Sequence, residues 1–596
     1  MPGLPLSSPV GVVGAGTMGT GIAQVALVAG HEVRLYDIQE GAAARGVERI
    51  HARLDRLVAK NRMDSAEARR AKDRLRAVDT LADLAGVGLV IEAVVEHLQA
   101  KRELFAALEQ VCADDTILAT NTSTLSITAI AAGLRRPQRV TGMHFFNPAP
   151  LMALVEVPAG AATDPEVVET VVQTARAWGK TPVRCASTPG FVANRIARPF
   201  YGEAMAVLEE GGADCATIDA VLTEAAGFPM GPFALADLVG NDVDLAVARS
   251  IWEQTFGDPR YSPSVTQQRL VDAGWLGRKS GRGWYTYDGS DLPAAHTAKP
   301  RPAPERVVYH GGFAVCYGLL DRIADAGVSV ERYDTGPAGI RARPQHGRDD
   351  HPPSPAGDQG DAPSGDGPPR EPVPRGDGAS ASSAGEVAAP TDVEAPSEVE
   401  AGGAPPQRSR YAAFQTNTVE GELAYGIELP SGGLVLETVG EPATFDGDAV
   451  ALDWVGDPAT ATRVCLAPSD TCEPATLDEA IGLFQAAGLT VSVIDDVPGL
   501  IVARTLCMLV NEAVDLVSRR EASAADVDTA MRLGTGYPRG PLAWGDRIGP
   551  DLVVEVLSAL ARAYPSGRYR PSPLLVRAAH TGRSLVSLGQ SLGQAL

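Results

Sequence analysis

Apolar residues in the first third of the chain gather in short runs at 10–13, 32–36, 88–91, 116–119, 139–143 and 154–157. Each run is bounded by glycine, proline or charge, as a buried strand requires, and helix-length stretches separate most of them. Alternation of this kind predicts an open parallel sheet over residues 9 to about 187. Between the second and third runs, residues 41–84 form a long charged helical stretch. It carries Arg45, Arg49, Arg53, Arg56, Lys60 and Arg62 among acidic neighbours. Composition alone favours a solvated helical pair there over a phosphate-binding edge.

From 189 to 289 the period changes. Ile196, Phe200, Ala204 and Leu208 recur every four residues, as one apolar face of a helix does. Phe228-Pro229-Met230-Gly231-Pro232 interrupts the pattern with a turn, and the basic, glycine-rich segment 277–285 closes it.

Much of this pattern then repeats. Residues 187–240 recur without a gap as 496–549, every pair offset by 309: Pro189 with Pro498, Arg195 with Arg504, Glu203 with Glu512, Asp219 with Asp528, Gly231 with Gly540. A fainter echo, offset by 297, pairs Gly14 with Gly311, Gly30 with Gly327, Tyr36 with Tyr333 and Asp37 with Asp334. The fold class this predicts is a Rossmann-type α/β parallel-sheet domain (1–187) followed by an all-α domain (188–290), duplicated. The second copy is degenerate: a sheet domain at 300–340 and 411–495, then a second all-α domain at 496–596. Residues 341–410 are dominated by Pro, Gly, Ser, Ala, Asp and Glu, too few large apolar side chains to offset ordering entropy. They read as a disordered linker dividing the second sheet domain.

Charge narrows the partners. Lys and Arg total 52 against 74 Asp and Glu, a formal charge of −22, which argues against nucleic acid or an anionic membrane. No apolar run is long enough to span a bilayer, and the first residues lack a signal-like basic and apolar pattern. Seven cysteines without a C-x-x-C pair suggest reduced thiols in a cytoplasmic protein, with no metal site.

Candidate chemistry begins at Gly14-Ala15-Gly16-Thr17-Met18-Gly19, directly after the first apolar run. Gly14 permits a tight turn, Gly16 lets the backbone approach a pyrophosphate, and Gly19 lets the adjoining helix pack on the strand. The helix start at Thr17 and Met18 then offers free N–H groups to phosphate. Asp37, eighteen residues past Gly19, closes the second strand where a ribose would lie, and its charge favours NAD over NADP. In the second copy Phe313 and Cys316 stand where Gly16 and Gly19 stand, which predicts a lost nucleotide site.

Four polar residues punctuate the chain beyond the second strand: Ser123 and His144 at strand ends, Glu156 in Leu154-Val155-Glu156-Val157, and Asn194 after Pro189-Gly190-Phe191. Together they fit oxidation of a secondary alcohol. His144 would remove the hydroxyl proton, Glu156 would fix its tautomer, Ser123 would hold the reacting oxygen and Asn194 a carbonyl. Singly, each has an ordinary structural reading as a satisfied histidine, a strand carboxylate or a turn cap.

As a set these residues resemble the 3-hydroxyacyl-CoA dehydrogenases. The likeness rests on Gly14-x-Gly16-x-x-Gly19, Glu92-Ala93-Val94-Val95-Glu96 with Lys101, Asn121-Thr122-Ser123, His144-Phe145-Phe146-Asn147-Pro148, Glu156, and Thr188-Pro189-Gly190-Phe191 before Asn194-Arg195. The resemblance implies NAD-dependent oxidation of (S)-3-hydroxyacyl-CoA, with His144 as base, Glu156 as its partner, and Ser123 and Asn194 on the substrate. It implies NAD contacts from Asp37, Glu96, Lys101 and Asn121, and places the CoA thioester against Arg53, Arg56 and Lys60. Residues 537–545 and 568–571 resemble the extra half of long members, the 3-hydroxyadipyl-CoA dehydrogenases of phenylacetate breakdown. Short-chain 3-hydroxybutyryl-CoA oxidation, or a CoA-thioester-binding protein with a structural second half, are the other readings. The helical domains of this family imply a homodimer, or a pseudo-dimer within one chain. At the 309 offset Asn194 becomes Ala503, His144 becomes Asp453 and Glu156 becomes Cys465.

Overall fold

Six parallel strands build the first sheet: β1 (Val10–Val13), β2 (Val33–Tyr36), β3 (Leu75–Val78), β4 (Leu89–Glu92), β5 (Ile117–Thr120) and β6 (Val140–Gly142). Their spatial order is β3-β2-β1-β4-β5-β6, so the chain reverses direction across the sheet between β1 and β4. Such a reversal opens a crevice at the carboxyl ends of the central strands, and the glycine turn after β1 lies there. All four residues of β1, β4 and β5 are buried, which explains their unbroken apolar runs. The computed structural model describes residues 2–332 and 426–589. The segment read as a disordered linker, with Tyr333 and Asp334, lies outside the described residues.

Two expectations need correction. The stretch 41–84 is not all helix: after the helices Ala42–Ala59 and Ser65–Asp73 the chain enters β3 at the sheet edge. Only Leu75 of that strand is buried, so its sequence reads as charged helix. Nor does the parallel sheet continue to 187. Beyond Gly142 the chain forms a separate three-stranded sheet of β7 (His144–Phe145), β8 (Leu154–Ala159) and β9 (Thr181–Ala186). There β7 pairs antiparallel with β8, and β8 pairs parallel with β9. The cause is the tight turn after β7, where Leu151 and Met152 N–H both donate to Pro148 O.

The second copy forms a seven-stranded mixed sheet of β10 (Arg306–Tyr309), β11 (Ser329–Arg332), β12 (Ile427–Glu428), β13 (Leu434–Glu437), β14 (Ala449–Leu452), β15 (Arg463–Pro468) and β16 (Thr490–Val493). Asp453 N–H donates to Cys465 O at 2.9 Å, so the counterparts of His144 and Glu156 again face each other across an antiparallel pair. The duplication is equally plain in the helical domains. Asp219 accepts N–H bonds from Phe233 and Ala234 at the start of helix Pro232–Val239. Asp528 does the same for Leu542 and Ala543 of helix Pro541–Ile548.

These two helical domains pack on one another with mirrored contacts. Arg504 Nε lies 2.7 Å from Glu203 Oε2, while Arg195 lies 3.6 Å from Glu512 and 3.0 Å from Asp515. Tyr569 Oη donates to Glu203 and Tyr261 Oη to Glu512. Phe228 and Tyr537, equivalent positions of the two copies, meet edge to face at 4.9 Å. Each helical domain thus presents equivalent residues to the other.

Candidate active site

The cradle after β1 fits a dinucleotide residue by residue. Gly14 has φ +103°, and a Cβ there would lie 2.5 Å from Ala93 O. A Cβ on Gly19 would lie 1.8 Å from Gly14 O, so that helix turn packs directly on the strand end. A Cβ on Gly16 would meet no protein atom within 4 Å, so space beside it is open for a ligand. The helix Thr17–Val28 has no side-chain cap and no acidic residue in its first turn, so no carboxylate of that turn competes for the N–H groups of Thr17, Met18 and Gly19. Asp37 Oδ2 accepts from Ala15 N–H at 2.7 Å, which ties the second strand end to the turn.

Across the crevice, β7 and β8 place His144 directly opposite Glu156. His144 Nδ1 lies 2.7 Å from Glu156 Oε2, and both side chains are buried. The other carboxylate oxygen accepts N–H bonds from Val192 at 3.1 Å and Ala193 at 2.8 Å. A carboxylate at Nδ1 favours the neutral tautomer that carries its proton there, which leaves the lone pair of Nε2 toward Ser123. Ser123 Oγ sits 3.1 Å from that Nε2. Phe146 and Phe191 flank the imidazole at ring distances of 4.6 and 5.8 Å. Asn194 is partly exposed in the short helix Ala193–Ile196, one residue after the backbone N–H that binds Glu156. Ser123, His144 and Glu156 therefore meet in one place, and Asn194 is the chain neighbour of a backbone donor to Glu156.

Sequence profiles for three parts of one family match the chain. The 3-hydroxyacyl-CoA dehydrogenase NAD-binding domain matches residues 9–188, and the C-terminal domain of that family matches twice, at 190–287 and 499–592. A 3-hydroxybutyryl-CoA dehydrogenase reduced Rossmann-fold domain matches 436–498. The 3-hydroxyadipyl-CoA dehydrogenase of Escherichia coli is 38% identical over 567 residues, covering 95% of this chain and 96% of that protein. A probable 3-hydroxybutyryl-CoA dehydrogenase of Bacillus subtilis is 44% identical over 277 residues, 46% of this chain and 96% of its own length. The crystal structure of a 3-hydroxybutyryl-CoA dehydrogenase from Escherichia coli superposes with TM-score 0.74 at 35% identity, covering 97% and 99% of the two chains.

The chain belongs to the 3-hydroxyacyl-CoA dehydrogenase family. It is an NAD-dependent oxidoreductase of that family.

The other residues singled out in sequence lie around the Ser123 loop or along the helix Ala42–Ala59. Glu96 Oε1 accepts from Thr122 Oγ1 at 2.5 Å, Ser123 N–H at 2.9 Å and Thr124 N–H at 3.1 Å. Burial would push the Glu96 carboxyl up, but Lys101 and the donors Thr122, Thr124 and Ser123 outweigh it and hold it below the ordinary value. Lys101 is buried, with Nζ 2.5 Å from Glu92 and 3.4 Å from Glu96. Asn121 Oδ1 accepts from Phe145 N–H at 2.8 Å, beside His144. Along the helix Ala42–Ala59, Arg53 reaches Thr20 Oγ1 at 3.3 Å, while Arg56 and Lys60 are exposed. Burial and the neighbouring Arg49 and Arg56 lower the Arg53 guanidinium, as expected of crowded cations. Among the described residues no group of three or more His, Cys, Asp or Glu could hold a metal ion, and no helix is long and apolar enough to cross a membrane.

Three contributors had no role assigned to them from sequence, although Arg49 and Glu92 stood in segments singled out there. Glu92 and Thr120 lie beneath the Ser123 loop, and Arg49 Nη2 donates to Ala15 O at 2.6 Å, inside the glycine turn. A carboxylate ending the apolar run Leu89-Val90-Ile91-Glu92 was the available signal.

In the second copy the same geometry is chemically closed. Glu437 accepts from the N–H groups of Ala314, Val315 and Cys316, the positions that match Thr17, Met18 and Gly19. An internal carboxylate thus sits on the backbone donors that a pyrophosphate would need. Asp453 accepts from Ile501, Val502 and Ala503 N–H at 2.7–3.0 Å, taking over the structural half of the Glu156 role with no imidazole present.

Proposed function

We propose that the first copy oxidises (S)-3-hydroxyacyl-CoA to 3-oxoacyl-CoA, with one active site per chain. The observation that carries this is the relay Ser123 Oγ, His144 Nε2, His144 Nδ1, Glu156 beside a glycine cradle with open space. Bound NAD supplies the hydride acceptor. His144 Nε2 takes the proton of the 3-hydroxyl, and Glu156 stabilises the imidazolium that results. Ser123 holds the reacting oxygen against that nitrogen, and Asn194 donates to the thioester carbonyl. Asp37, Glu96, Lys101 and Asn121 serve the cofactor side, directly or by fixing loops. Arg53, Arg56 and Lys60 supply positive charge for the CoA phosphates.

Serine, histidine and glutamate in line would also suit a hydrolase. Against that reading, Ser123 and Thr124 N–H both already donate to Glu96. A hydrolase needs such N–H groups free for an oxyanion.

For the acyl group, 3-hydroxyadipyl-CoA is favoured, because the relative that spans nearly the whole chain carries that name. The half-length relatives and the full-length crystal structure named for 3-hydroxybutyryl-CoA favour a short chain as the second reading. The mirrored packing of the helical domains supports an intrachain pseudo-dimer in place of a homodimer. All seven cysteines are free, which suits a reducing cytoplasm. The test is kcat/KM for 3-hydroxyadipyl-CoA against 3-hydroxybutyryl-CoA with NAD. A preference of about tenfold or more for the dicarboxylic substrate supports the first reading, and the reverse preference overturns it.

A further inference from the structure

We propose that Glu92 and Lys101 are positioning residues for Ser123: this buried ion pair sets the loop that presents Ser123 Oγ to His144. The proposal rests on the roles assigned to Ser123 and His144 in alcohol oxidation. Glu92 is 0% and Lys101 1% exposed. A buried ion pair adds little stability over an apolar pair of the same volume, so its presence calls for a reason other than holding the fold.

The hydrogen bonds supply the reason. Glu92 Oε1 accepts from Lys101 Nζ at 2.5 Å and from Val94 N–H at 2.7 Å, and Oε2 accepts from Thr120 Oγ1 at 2.6 Å. From there two arms rise to one loop. In the first, Thr120 Oγ1 accepts from Thr122 N–H at 3.2 Å. In the second, Lys101 Nζ lies 3.4 Å from Glu96 Oε2, and Glu96 Oε1 accepts from Thr122 Oγ1 and from Ser123 and Thr124 N–H. Both arms end on residues 122–124, with Ser123 in the middle. Lys101 is sealed beneath the surface, where it joins Glu92 to Glu96. The strands fix the base of this structure, since Glu92 and Thr120 are direct partners in the parallel pair β4–β5. A side chain misplaced by about 1 Å at a reacting centre can lower turnover about 100-fold, so an anchored loop has kinetic value.

The experiment is a double-mutant cycle on the full chain, following NADH oxidation by acetoacetyl-CoA in wild type, Glu92→Gln, Ser123→Ala and the double variant. The expected result is that Glu92→Gln lowers kcat about 10- to 100-fold with KM for NADH within about threefold of wild type. In the Ser123→Ala background the same change should cost less than about twofold. Thr120→Val, which cuts one arm without stranding a charge, should lower kcat about fivefold or more and be equally silent beside Ser123→Ala. It decides the matter if Glu92→Gln fails to fold. If these changes act by the same factor with and without Ser123, or leave kcat unaltered, the positioning role is overturned while the dehydrogenase reading stands. A wild-type chain unable to oxidise NADH overturns both.

Discussion

Glu156 faces His144 across the β7–β8 pair, with Oε2 2.7 Å from Nδ1, while its Oε1 holds two backbone N–H groups at the start of the first helical domain. One carboxylate therefore fixes the imidazole tautomer and joins the sheet to the helices. Glu156→Gln keeps an oxygen for Val192 and Ala193 but turns an amide donor toward Nδ1. The proton then belongs on Nε2, where it cannot act as a base. Steady-state kinetics should show kcat lower by about 100- to 10,000-fold with KM for the CoA substrate little changed. Loss of less than about threefold would remove Glu156 from the relay.

The cradle glycines separate binding from folding. Gly16→Ala places its methyl in open space, so thermal unfolding should match wild type while NADH fluorescence titration shows affinity about tenfold weaker or worse. Gly19→Ala drives a methyl to 1.8 Å from Gly14 O and should lower Tm as well as binding. Equal affinity in Gly16→Ala and wild type would mean that no pyrophosphate approaches there.

These cradle positions, Asp37 and the His144–Glu156 pair were legible because each needs a particular residue at a fixed spacing. A twelve-residue interval with a proline turn between them brings His144 and Glu156 opposite across a hairpin. Glu92 and Lys101 stood in the motif that carries the resemblance, Lys101 as an NAD contact, but nothing in the spacing of a strand end and the helix Leu98–Val111 showed that they pair in the interior. Strand β3 was hidden by its exposed Arg76 and Ala77. The offset of 309 revealed the repeat, but the mirrored Arg504–Glu203 and Arg195–Glu512 contacts depend on tertiary packing that spacing does not encode. Glu437 in the second cradle was likewise invisible, because β13 lies two strands away from β10 in the sheet.

Glu437 gives the second copy a pH signature. Burial pushes its carboxyl from the ordinary 4.5 up to about 7, although the N–H donors Ala314, Cys316 and Val315 pull the other way. Between about pH 4.5 and 7 the folded chain holds a proton that the unfolded chain has released, so this group stabilises the fold at low pH and loses that effect as pH rises. At about 1.4 kcal/mol per pKa unit, the contribution that disappears is on the order of 3 kcal/mol. Urea unfolding across that window should show wild type losing stability relative to Glu437→Gln. A constant difference between the two would show that Glu437 is ionised throughout.

His144 itself offers the most direct measurement. In His144→Ala, kcat for NADH oxidation with acetoacetyl-CoA should fall by about 100- to 10,000-fold while NADH still titrates to one site per chain. Turnover within about tenfold of wild type would contradict the assignment of proton transfer to this imidazole.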